Sequence, residues 1–261
     1  MEVRSLGYRT DLMIRVLEGS QVEDHGNYVV IRSPRNPTYW WGNFLLLAAP
    51  VPGQAAGWVA TFRTEFPAAR HVAIGVDVTE ISAVDIGEYI AQDLRLERSA
   101  VLTAQELAEP TRPNRQAAYR ALSGDDDWRK SADLRAAVNA GEPSSDPEFL
   151  RARVEAERAL TEAGHGAWFG AFVDGCLVAQ LGLITDGSGV ARYQNVETHP
   201  DWRRRGLAGS LVWQAGRHGL DSLGASTLVI VADPHADAIR VYRTLGFADA
   251  ETQVGFERQP D

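Results

Sequence analysis

Apolar and polar residues in the second half of the chain alternate between helical and strand-like spacing. Asp146-Pro147-Glu148 is a helix start, because it offers a capping side chain, a proline at the first helical position and an acid in the first turn. A loose apolar stripe then predicts a helix to about residue 163. Apolar runs over 167–173 and 176–184, separated by Asp174-Gly175, predict a β-hairpin.

The pattern continues with shorter elements up to the end of the chain. It predicts strands over 190–198, 227–231 and 252–257, and helices over 207–219 and 236–245, the last closed by Gly246. The resulting order is helix, hairpin, strand, helix, strand, helix, strand. Such an order is typical of an α/β (α+β) layer fold in which helices flank a mixed, largely antiparallel sheet.

The first half is rich in short apolar runs. We predict one helix over 86–96 and strands over the remaining runs, which are 12–17, 28–32, 43–48, 58–66, 71–76 and 99–103. Turn-forming clusters at 110–114 and 124–128 indicate boundaries. The sequence therefore predicts two domains, residues 1–120 and 121–261. The order strand, helix, strand after residue 71 echoes the second half, which suggests a degenerate copy.

The segment from Val196 to Leu211 carries the most specific chemistry. A strand end leads through Pro200 into a turn with three arginines, and a helical pattern starts directly after Gly206. The N–H groups of a first helical turn have no partners inside the helix and lie at the positive end of its dipole, so they bind anions. Gly206 lets the backbone approach a ligand closely. The segment predicts a polyphosphate site.

Two motifs in this region resemble those of a known family. The spacing Arg203-x-x-Gly206-x-Ala208 is similar to the acyl-CoA signature of the GNAT superfamily of N-acyltransferases. A second segment, from His235 to Phe247, is similar to a later family motif in which a short helix carries a tyrosine and ends in Gly-Phe. His235 stands where the family often has Asn. The resemblance covers about residues 125–258 and implies a GNAT-like fold, in tandem if the first half is a copy.

The resemblance also implies roles for individual residues. It implies acetyl-CoA as the acyl donor and Tyr242 as the group that protonates the departing thiolate. The strand residues Val196 and Thr198 would bond the pantetheine arm and the acyl carbonyl. The remaining cofactor contacts implied are Arg203, Arg204, Arg205, Gly206, Leu207, Ala208, Gly209, Ser210 and His235.

The base that deprotonates the acceptor amine is less determined by the sequence. Glu197 lies on the motif strand and is the candidate catalytic base, and Asn195 shares its strand face and could position a water. If Val196 and Thr198 face the core, Glu197 faces either the acceptor cleft or solvent. Water-mediated deprotonation without a dominant residue is the alternative.

Each feature also has a structural explanation. Tyr242 could be an aromatic packing residue at a helix end, and three consecutive arginines could form a solvated turn or a nucleic-acid contact. The aromatic segment from Arg35 to Gly42 could line an acceptor cleft or belong to a core. The histidines have no ligand-like spacing to each other or to Cys176, so we expect no metal site.

Composition limits the remaining possibilities. The chain of 261 residues carries a formal net charge of −9, which argues against nucleic-acid binding. Its single cysteine suits a reducing compartment, and no apolar run reaches about 18–20 residues, so we expect a cytoplasmic protein without membrane contact. A small-molecule amine acceptor and either a monomer with internally paired halves or a homodimer are expected.

These observations lead to one functional hypothesis and one rival. The hypothesis is an N-acetyltransferase that moves an acetyl group from acetyl-CoA to a primary amine by direct attack in a ternary complex. The rival is a non-catalytic acyl-CoA-binding sensor or scaffold, which would bind coenzyme A and acetylate no amine.

Overall fold

A computed structural model of the chain describes residues 1–79, 83–141 and 146–259. Within those ranges the elements, in chain order, are α1 (Leu6–Leu17), β1 (Gln21–Asp24), β2 (Tyr28–Arg32), β3 (Phe44–Leu47), α2 (Ala55–Glu65), β4 (Val72–Val76), α3 (Ala83–Ile90), β5 (Arg95–Ala104), β6 (Ala118–Ala121), α4 (Gly124–Val138), α5 (Pro147–Glu162), β7 (Gly166–Val173), β8 (Cys176–Thr185), β9 (Val190–Thr198), α6 (Leu207–Ser222), β10 (Thr227–Ala232), α7 (Ala238–Thr244) and β11 (Ala248–Arg258).

The backbone forms two compact units. Unit 1 comprises Met1–Val101, Val231–Pro234 and Ala250–Asp261, and unit 2 comprises Leu102–Ile230 and His235–Asp249. In unit 1 the strand order is β1-β2-β3-β4-β11-β5, so the last strand of the chain completes the sheet of the first unit. Strands β3 and β4 run parallel, and β11 pairs with β4 in antiparallel register from Val254↔Val76 to Arg258↔Val72.

Unit 2 contains the strands β10-β9-β8-β7-β6 in that order. The pairs from β6 to β9 are antiparallel, and β9 and β10 are parallel. Helices α4 and α5 pack on one face, where Trp128, Val154 and Trp168 belong to an apolar cluster. Helix α6 packs against β7, β8 and β9 and buries Leu211, Val212 and Ala215. The mixed, largely antiparallel sheet flanked by helices confirms the predicted fold class.

The elements predicted for residues 146–258 are confirmed in type and order. Asp146 caps α5 by accepting from the Phe149 N–H at 2.9 Å, as the sequence indicates. Two elements ahead of them were missed. The short strand β6 lacks an apolar pattern, and α4 begins at Gly124, where the sequence suggested a boundary. The acidic run Asp125–Asp127 is the first turn of that helix.

The predictions of strands over 12–17 and 58–66 are wrong, because both segments are helices. In α1 the buried residues Gly7, Thr10 and Ile14 recur every three or four positions, and Ser5 caps the helix by accepting from the Tyr8 N–H. In α2 the buried residues Ala55, Trp58 and Phe62 have the same period. Apolar and aromatic content alone favours a strand, but the helical spacing of the buried positions decides.

The predicted helix over 86–96 ends earlier than expected. Helix α3 stops at Ile90, and Asp93 adopts a positive φ of 59° that terminates the helical path. The Leu94 N–H then bonds back to the Tyr89 carbonyl at 3.2 Å. The other short apolar runs of the first half, 28–32, 43–48, 71–76 and 99–103, are strands as predicted.

Both units contain the same sequence of elements. In unit 1, β3, α2, β4 and α3 follow one another, as β9, α6, β10 and α7 do in unit 2, and in each case the two strands are parallel. A glycine with a positive φ precedes the first helix in both, Gly53 at 77° and Gly206 at 76°. The last helix carries a tyrosine in both, Tyr89 and Tyr242, whose carbonyl accepts from the N–H five residues later.

Candidate active site

The turn that the sequence marks as an anion site lies at the start of α6, and we call residues 203–210 the anion turn. Gly206 is the N-terminal cap of the 16-residue helix and has a left-handed backbone conformation. Arg204 is also left-handed, with a φ of 59°, which is uncommon for a residue with a side chain. A short 3-10 helix, Pro200–Trp202, leads into the turn, and His199 Nδ1 accepts from the Asp201 N–H at 3.3 Å.

Two of the arginines shape the turn through their side chains. Arg203 Nε donates to the Thr198 carbonyl at 3.3 Å, and an Arg205 guanidinium nitrogen donates to the Asp201 carbonyl at 3.0 Å. The Arg205 guanidinium also lies 4.5 Å from the centre of the Trp202 ring. These bonds are exposed, so the turn carries positive charge at the surface.

The backbone donors of the turn are directed out of the helix. Ser210 is the first residue whose N–H bonds within the turn, to the Gly206 carbonyl at 3.1 Å. In the part of the chain that the structure describes, no acceptor bonds the N–H groups of residues 204–209. Such N–H groups at a helix N-terminus are ready to bind phosphate oxygens.

Strand β9 contains a bulge that determines which side chains face which layer. The pairing with β8 shifts between Gln180 and Gly182, and Asn195 has a positive φ of 47°. Before the bulge, the Tyr193 hydroxyl donates to the Val212 carbonyl of α6 at 2.8 Å. After it, Asn195 and Glu197 face α4 and α5 on the opposite layer. The bulge therefore reverses the alternation in the strand.

Tyr242 lies in α7, which packs against the start of α6. A Cβ atom added at Gly209 would lie 3.2 Å from Val241 Cγ1, so the absence of a side chain at Gly209 allows this approach. Phe247 contacts the rings of both Tyr193 and Tyr242 edge-on, with centroids 5.8 Å and 6.4 Å apart. The second motif is thereby brought next to both β9 and the anion turn.

The environment of Tyr242 favours its neutral form. The residue is 4% exposed, and burial raises the pKa of its hydroxyl to about 12. Among the residues that the structure describes, none hydrogen-bonds this hydroxyl. A phenol with such a pKa stays protonated at neutral pH, so its hydroxyl remains a hydrogen-bond donor.

Glu197 belongs to a group of polar residues that we call the charge cluster, in which Arg135, Arg153, Glu157 and Gln180 are buried, Glu197 is half-buried and Asn195 is exposed. Arg135 donates to Glu157 Oε1 at 2.6 Å and, through Nε, to Glu197 Oε1 at 3.1 Å. Gln180 Nε2 donates to Glu197 Oε2 at 2.6 Å, and Asn195 Nδ2 donates to Glu157 Oε1 at 2.8 Å.

The cluster holds one ionised arginine between two acids. Burial lowers the pKa of Arg135, but the carboxylates of Glu157 and Glu197 outweigh this effect and raise it, so the guanidinium stays charged. Arg135 and Glu157 are 3% and 1% exposed. Glu157 Oε2 has no hydrogen-bond partner among the described residues. Both oxygens of Glu197 accept hydrogen bonds from neighbouring side chains.

A segment for which the sequence indicated only a boundary lies against α6, and we call residues 105–117 the bridging segment. The Ala108 N–H donates to the Leu245 carbonyl at the end of α7, at 2.9 Å. At the other end, Asn114 bonds the anion turn. A cavity of about 260 Å³ beside the segment is lined by Asn114, Tyr119, Ser210 and Trp213 among others.

The structure places the expected residues on β9, in the anion turn and in or just before α7, whereas two groups of contacts were not foreseen. The strand residues Val196 and Thr198 are half-buried at the end of β9, and His235 is exposed ahead of α7. Arg135 and Glu157 were missed although they occupy buried positions on the inner faces of two helices. Charged residues at such positions are a usable signal, but α4 has to be recognised first. Asn114 belonged to a turn-forming cluster, which indicated a boundary and no contact with the anion turn.

Comparisons with known proteins agree with this geometry. Residues 132–247 match the model of the acetyltransferase (GNAT) family. A GCN5-related N-acetyltransferase from Kribbella flavida has a similar structure, with 20% identity and a TM-score of 0.70 over 98% of this chain and 97% of that one. A functionally unknown protein from Staphylococcus epidermidis is similar with 12% identity and a TM-score of 0.74 over 93% and 95% of the two chains.

A third similar structure contains the fold twice. It is a tandem GNAT protein from the clavulanic acid biosynthesis pathway, with 11% identity and a TM-score of 0.53 over 95% of this chain and 88% of that one. No curated protein matches the sequence. The fold is that of the GNAT acetyltransferases, and the match to the family model extends over residues 132–247.

Two further features of the described residues concern membranes and metals. No helix among the described residues is long and apolar enough to cross a membrane. Within the same residues, no group of three or more His, Cys, Asp or Glu side chains is arranged to hold a metal ion.

Proposed function

We propose that the protein is an N-acetyltransferase that transfers the acetyl group of acetyl-CoA to a primary amine of a small molecule, by direct attack in a ternary complex. The observation that carries the proposal is the anion turn, where unbonded N–H groups, a left-handed Gly206 and exposed arginines coincide at the start of α6. In the proposal the unbonded N–H groups of this turn, those of residues 204–209, bind the diphosphate of coenzyme A. Val196 and Thr198 bind the pantetheine arm, and His235 contacts the cofactor.

Tyr242 is the proposed general acid. When the amine nitrogen bonds to the acetyl carbon, the C–S bond breaks, Tyr242 gives its proton to the thiolate, and the proton that the nitrogen loses returns to Tyr242 through water. A coenzyme A thiol has a pKa near that of cysteine, about 8.5. A phenol whose pKa is about 12 donates a hydrogen bond to that thiolate in the transition state and remains neutral over the whole physiological range.

Glu197 is proposed to assist loss of the proton from the acceptor ammonium through a water molecule. Both of its carboxylate oxygens already accept bonds from Arg135 and Gln180. Direct proton abstraction would require one of these bonds to break, whereas a water beside the carboxylate needs no such change. We therefore expect Glu197→Gln to lower kcat by less than about tenfold, compared with about 10²–10⁴-fold for a direct base.

The proposal is tested by free-thiol release from acetyl-CoA across a panel of amines. We expect amine-dependent thiol release by the wild type, and a kcat about 10²–10⁴-fold lower for Tyr242→Phe with a KM for acetyl-CoA within about threefold. Because the pKa of Tyr242 is about 12, its ionisation should not reduce kcat below about pH 11.

A neighbouring tyrosine provides the matched control. Tyr193→Phe removes a buried hydroxyl that donates to the Val212 carbonyl, so it should lower stability by about 1 kcal/mol and leave kcat near the wild-type value. Equal thiol release by the wild type and Tyr242→Phe would show that Tyr242 is not the acid. Coenzyme A binding without a product from any amine would instead identify the non-catalytic sensor.

A further inference from the structure

Asn114 connects the bridging segment to both ends of the first turn of α6. Its backbone N–H donates to Ser210 Oγ at 2.9 Å, and its side-chain Nδ2 donates to the Arg205 carbonyl at 2.9 Å. The two acceptors, the Arg205 carbonyl and Ser210 Oγ, lie on either side of Gly206 within the anion turn. Asn114 therefore spans the turn from outside the helix.

The side chain of Asn114 is itself held in one orientation. Its Oδ1 accepts from the N–H groups of Gln116 and Ala117, both at 3.0 Å, and its carbonyl accepts from the Tyr119 hydroxyl at 3.0 Å. An asparagine that bonds the backbone two and three residues ahead forms a rigid local turn. The direction of Nδ2 is consequently fixed before it reaches Arg205.

The bond to Arg205 has an effect on Gly206 because of peptide geometry. The Arg205 carbonyl and the Gly206 N–H belong to one planar trans peptide and point in opposite directions. Holding the oxygen towards Asn114 directs the N–H away from Asn114. The same hydrogen bond holds the partly negative oxygen of the Arg205 carbonyl, so that this oxygen does not turn towards a bound anion.

The approach of the bridging segment also explains why position 206 carries no side chain. A Cβ atom at Gly206 would lie 2.5 Å from the Arg112 carbonyl oxygen, two residues before Asn114. The segment and the turn are in direct backbone contact. A change in one is transmitted to the other without an intervening flexible side chain.

We propose that Asn114 is a positioning residue for acyl-donor binding, because it orients the Gly206 N–H of the anion turn. This inference rests on the proposed function. Asn114 does not contact the reacting atoms, so its loss affects the binding of acetyl-CoA and leaves the chemical step unchanged. Substitution of Asn114 should therefore raise KM for acetyl-CoA and leave kcat unchanged.

The test compares Asn114→Ala and Asn114→Asp with the wild type in steady-state kinetics. We expect KM for acetyl-CoA to rise about three- to tenfold in Asn114→Ala, with kcat within about twofold. Asn114→Asp keeps the oxygen that accepts from Gln116 and Ala117 but replaces the donor to Arg205 with a negative charge. It should raise KM at least as much as the alanine variant, which isolates the donated bond.

Asn43 in unit 1 is the matched control. Its side chain also stabilises a turn, since Oδ1 accepts from the Ser33 N–H at 3.0 Å and Nδ2 donates to the Tyr39 carbonyl at 2.8 Å. Asn43→Ala should lower the thermal midpoint as Asn114→Ala does and leave KM unchanged. Wild-type KM in both Asn114 variants, or an equal rise of KM in Asn43→Ala, overturns the inference. A wild type that fails to bind coenzyme A in a calorimetric titration refutes the proposed function instead.

A different contact, at the start of α2, carries a second inference. Gly53, the counterpart of Gly206 in unit 1, donates its N–H to both carboxylate oxygens of Glu88 at 2.6 Å. Glu88 lies in α3 directly before Tyr89, as Val241 lies in α7 directly before Tyr242. The position that packs against the anion turn in unit 2 thus carries an anion in unit 1. Tyr89 itself stacks on Phe256 with ring centres 3.9 Å apart.

We infer that Glu88 is an internal substitute for a phosphate, which closes this turn of unit 1 and leaves one acyl-CoA site per chain. A carboxylate that accepts from an N–H of the turn leading into a helix makes the same type of charge-assisted bond as a phosphate oxygen. The inference rests on the proposed function for the site in unit 2.

Titration calorimetry with coenzyme A measures the number of sites in the full chain. We expect one equivalent for the wild type and none for Gly206→Trp, in which the anion turn of unit 2 is blocked. Two equivalents for the wild type, or one retained by Gly206→Trp, overturn the inference. No binding by the wild type refutes the proposed function.

The role of Glu88 is tested with inorganic phosphate. Glu88→Ala should lower the thermal midpoint by about 1–4 °C, because the helix loses its bound anion. Phosphate should then raise the midpoint of Glu88→Ala more than that of the wild type, relative to chloride at equal ionic strength. Equal phosphate effects on the two proteins would show that Glu88 does not take the place of an anion.

Discussion

Single residues determine the shape of the anion turn through their backbone conformations. Arg204 and Asn195 are left-handed although they have side chains, and such conformations cost of order 1–3 kcal/mol each. They persist where the surrounding contacts impose them. Asn195 lies at the bulge of β9 and Arg204 lies in the anion turn, so both strained positions border the proposed acyl-donor site.

At the scale of single residues, we predict different outcomes for substitution by alanine at Gly206 and at Gly53. Gly206→Ala should weaken coenzyme A binding by at least about tenfold, because the new Cβ meets the Arg112 carbonyl and displaces the turn. Gly53→Ala places the same side chain at almost the same φ but in open space. It should cost about 1 kcal/mol of stability and leave the affinity unchanged.

Calorimetric titration and thermal unfolding of both variants distinguish steric displacement from backbone strain. If the only effect of Gly206→Ala were backbone strain, with the turn left in place, the variant would lose stability without losing affinity. Retained affinity in Gly206→Ala would contradict the assignment of the phosphate to the anion turn. Lost affinity in Gly53→Ala would contradict the assignment of the site to unit 2.

At the scale of elements, the charge cluster joins α4, α5 and β9 through one guanidinium. Arg135 bonds acids that lie 22 and 62 residues further along the chain. A buried ion pair adds little net stability compared with apolar packing, but removal of one partner leaves an uncompensated charge. The cluster therefore makes the relative placement of these three elements sensitive to a single residue.

We predict that Arg135→Met destabilises the protein by about 3–5 kcal/mol at pH 7. Burial raises the pKa of Glu157, against the opposing effects of Arg135 and Arg153, and loss of Arg135 raises it further. A carboxyl with a higher pKa in the folded than in the unfolded chain takes up a proton on folding. Acidification from pH 7 to pH 5 should consequently reduce the loss of stability that Arg135→Met causes.

Denaturant unfolding at several pH values checks this prediction, with an exposed arginine of the same helix as the control. Arg129 pairs with Asp126 at the surface of α4, so Arg129→Met should change the free energy of unfolding by less than about 1 kcal/mol at every pH. Equal effects of the two substitutions would contradict the role assigned to the cluster. A loss in Arg135→Met that grows on acidification would contradict its electrostatic origin.

At the scale of the whole molecule, positive charge is concentrated against an acidic background. The chain has a net charge of −9, whereas the anion turn contains three consecutive arginines. General affinity for polyanions requires an excess of basic residues, whereas 35 acidic residues outnumber 26 basic ones in this chain. Binding of one anionic nucleotide at one site is the behaviour that such a charge distribution favours.

Ligand linkage gives a prediction for the complete chain. Coenzyme A at about one hundred times its Kd should stabilise the folded protein by about 2.7 kcal/mol, if it binds only the folded state at one site. Differential scanning fluorimetry should record this as a rise of several degrees in the thermal midpoint of the domain that binds it. Gly206→Trp should abolish the rise. A rise of equal size in that variant would contradict binding at the anion turn.

Local signals made the second half of the fold predictable. Asp146-Pro147, Asp174-Gly175 and Gly206 each act within a few residues, through a cap, a hairpin turn and a left-handed position, and the structure has a helix, a hairpin and a helix start there. In the first half, residues 12–17 and 58–66 were assigned from apolar content and turned out helical. Their period becomes visible only once the buried residues are known.

The sequence by itself determined the fold class, the family resemblance and the anion turn, because all three depend on residues that are neighbours along the chain. Only the tertiary structure decided that Asn114 bonds Arg205 and that Arg135 bonds Glu197, at separations of 91 and 62 residues. Such contacts depend on which elements pack together, and spacing along a single element contains no information about its partner. For the same reason, the sequence could identify Glu197 as an acid on the right strand, whereas its bonds to Arg135 and Gln180 required the packed layers.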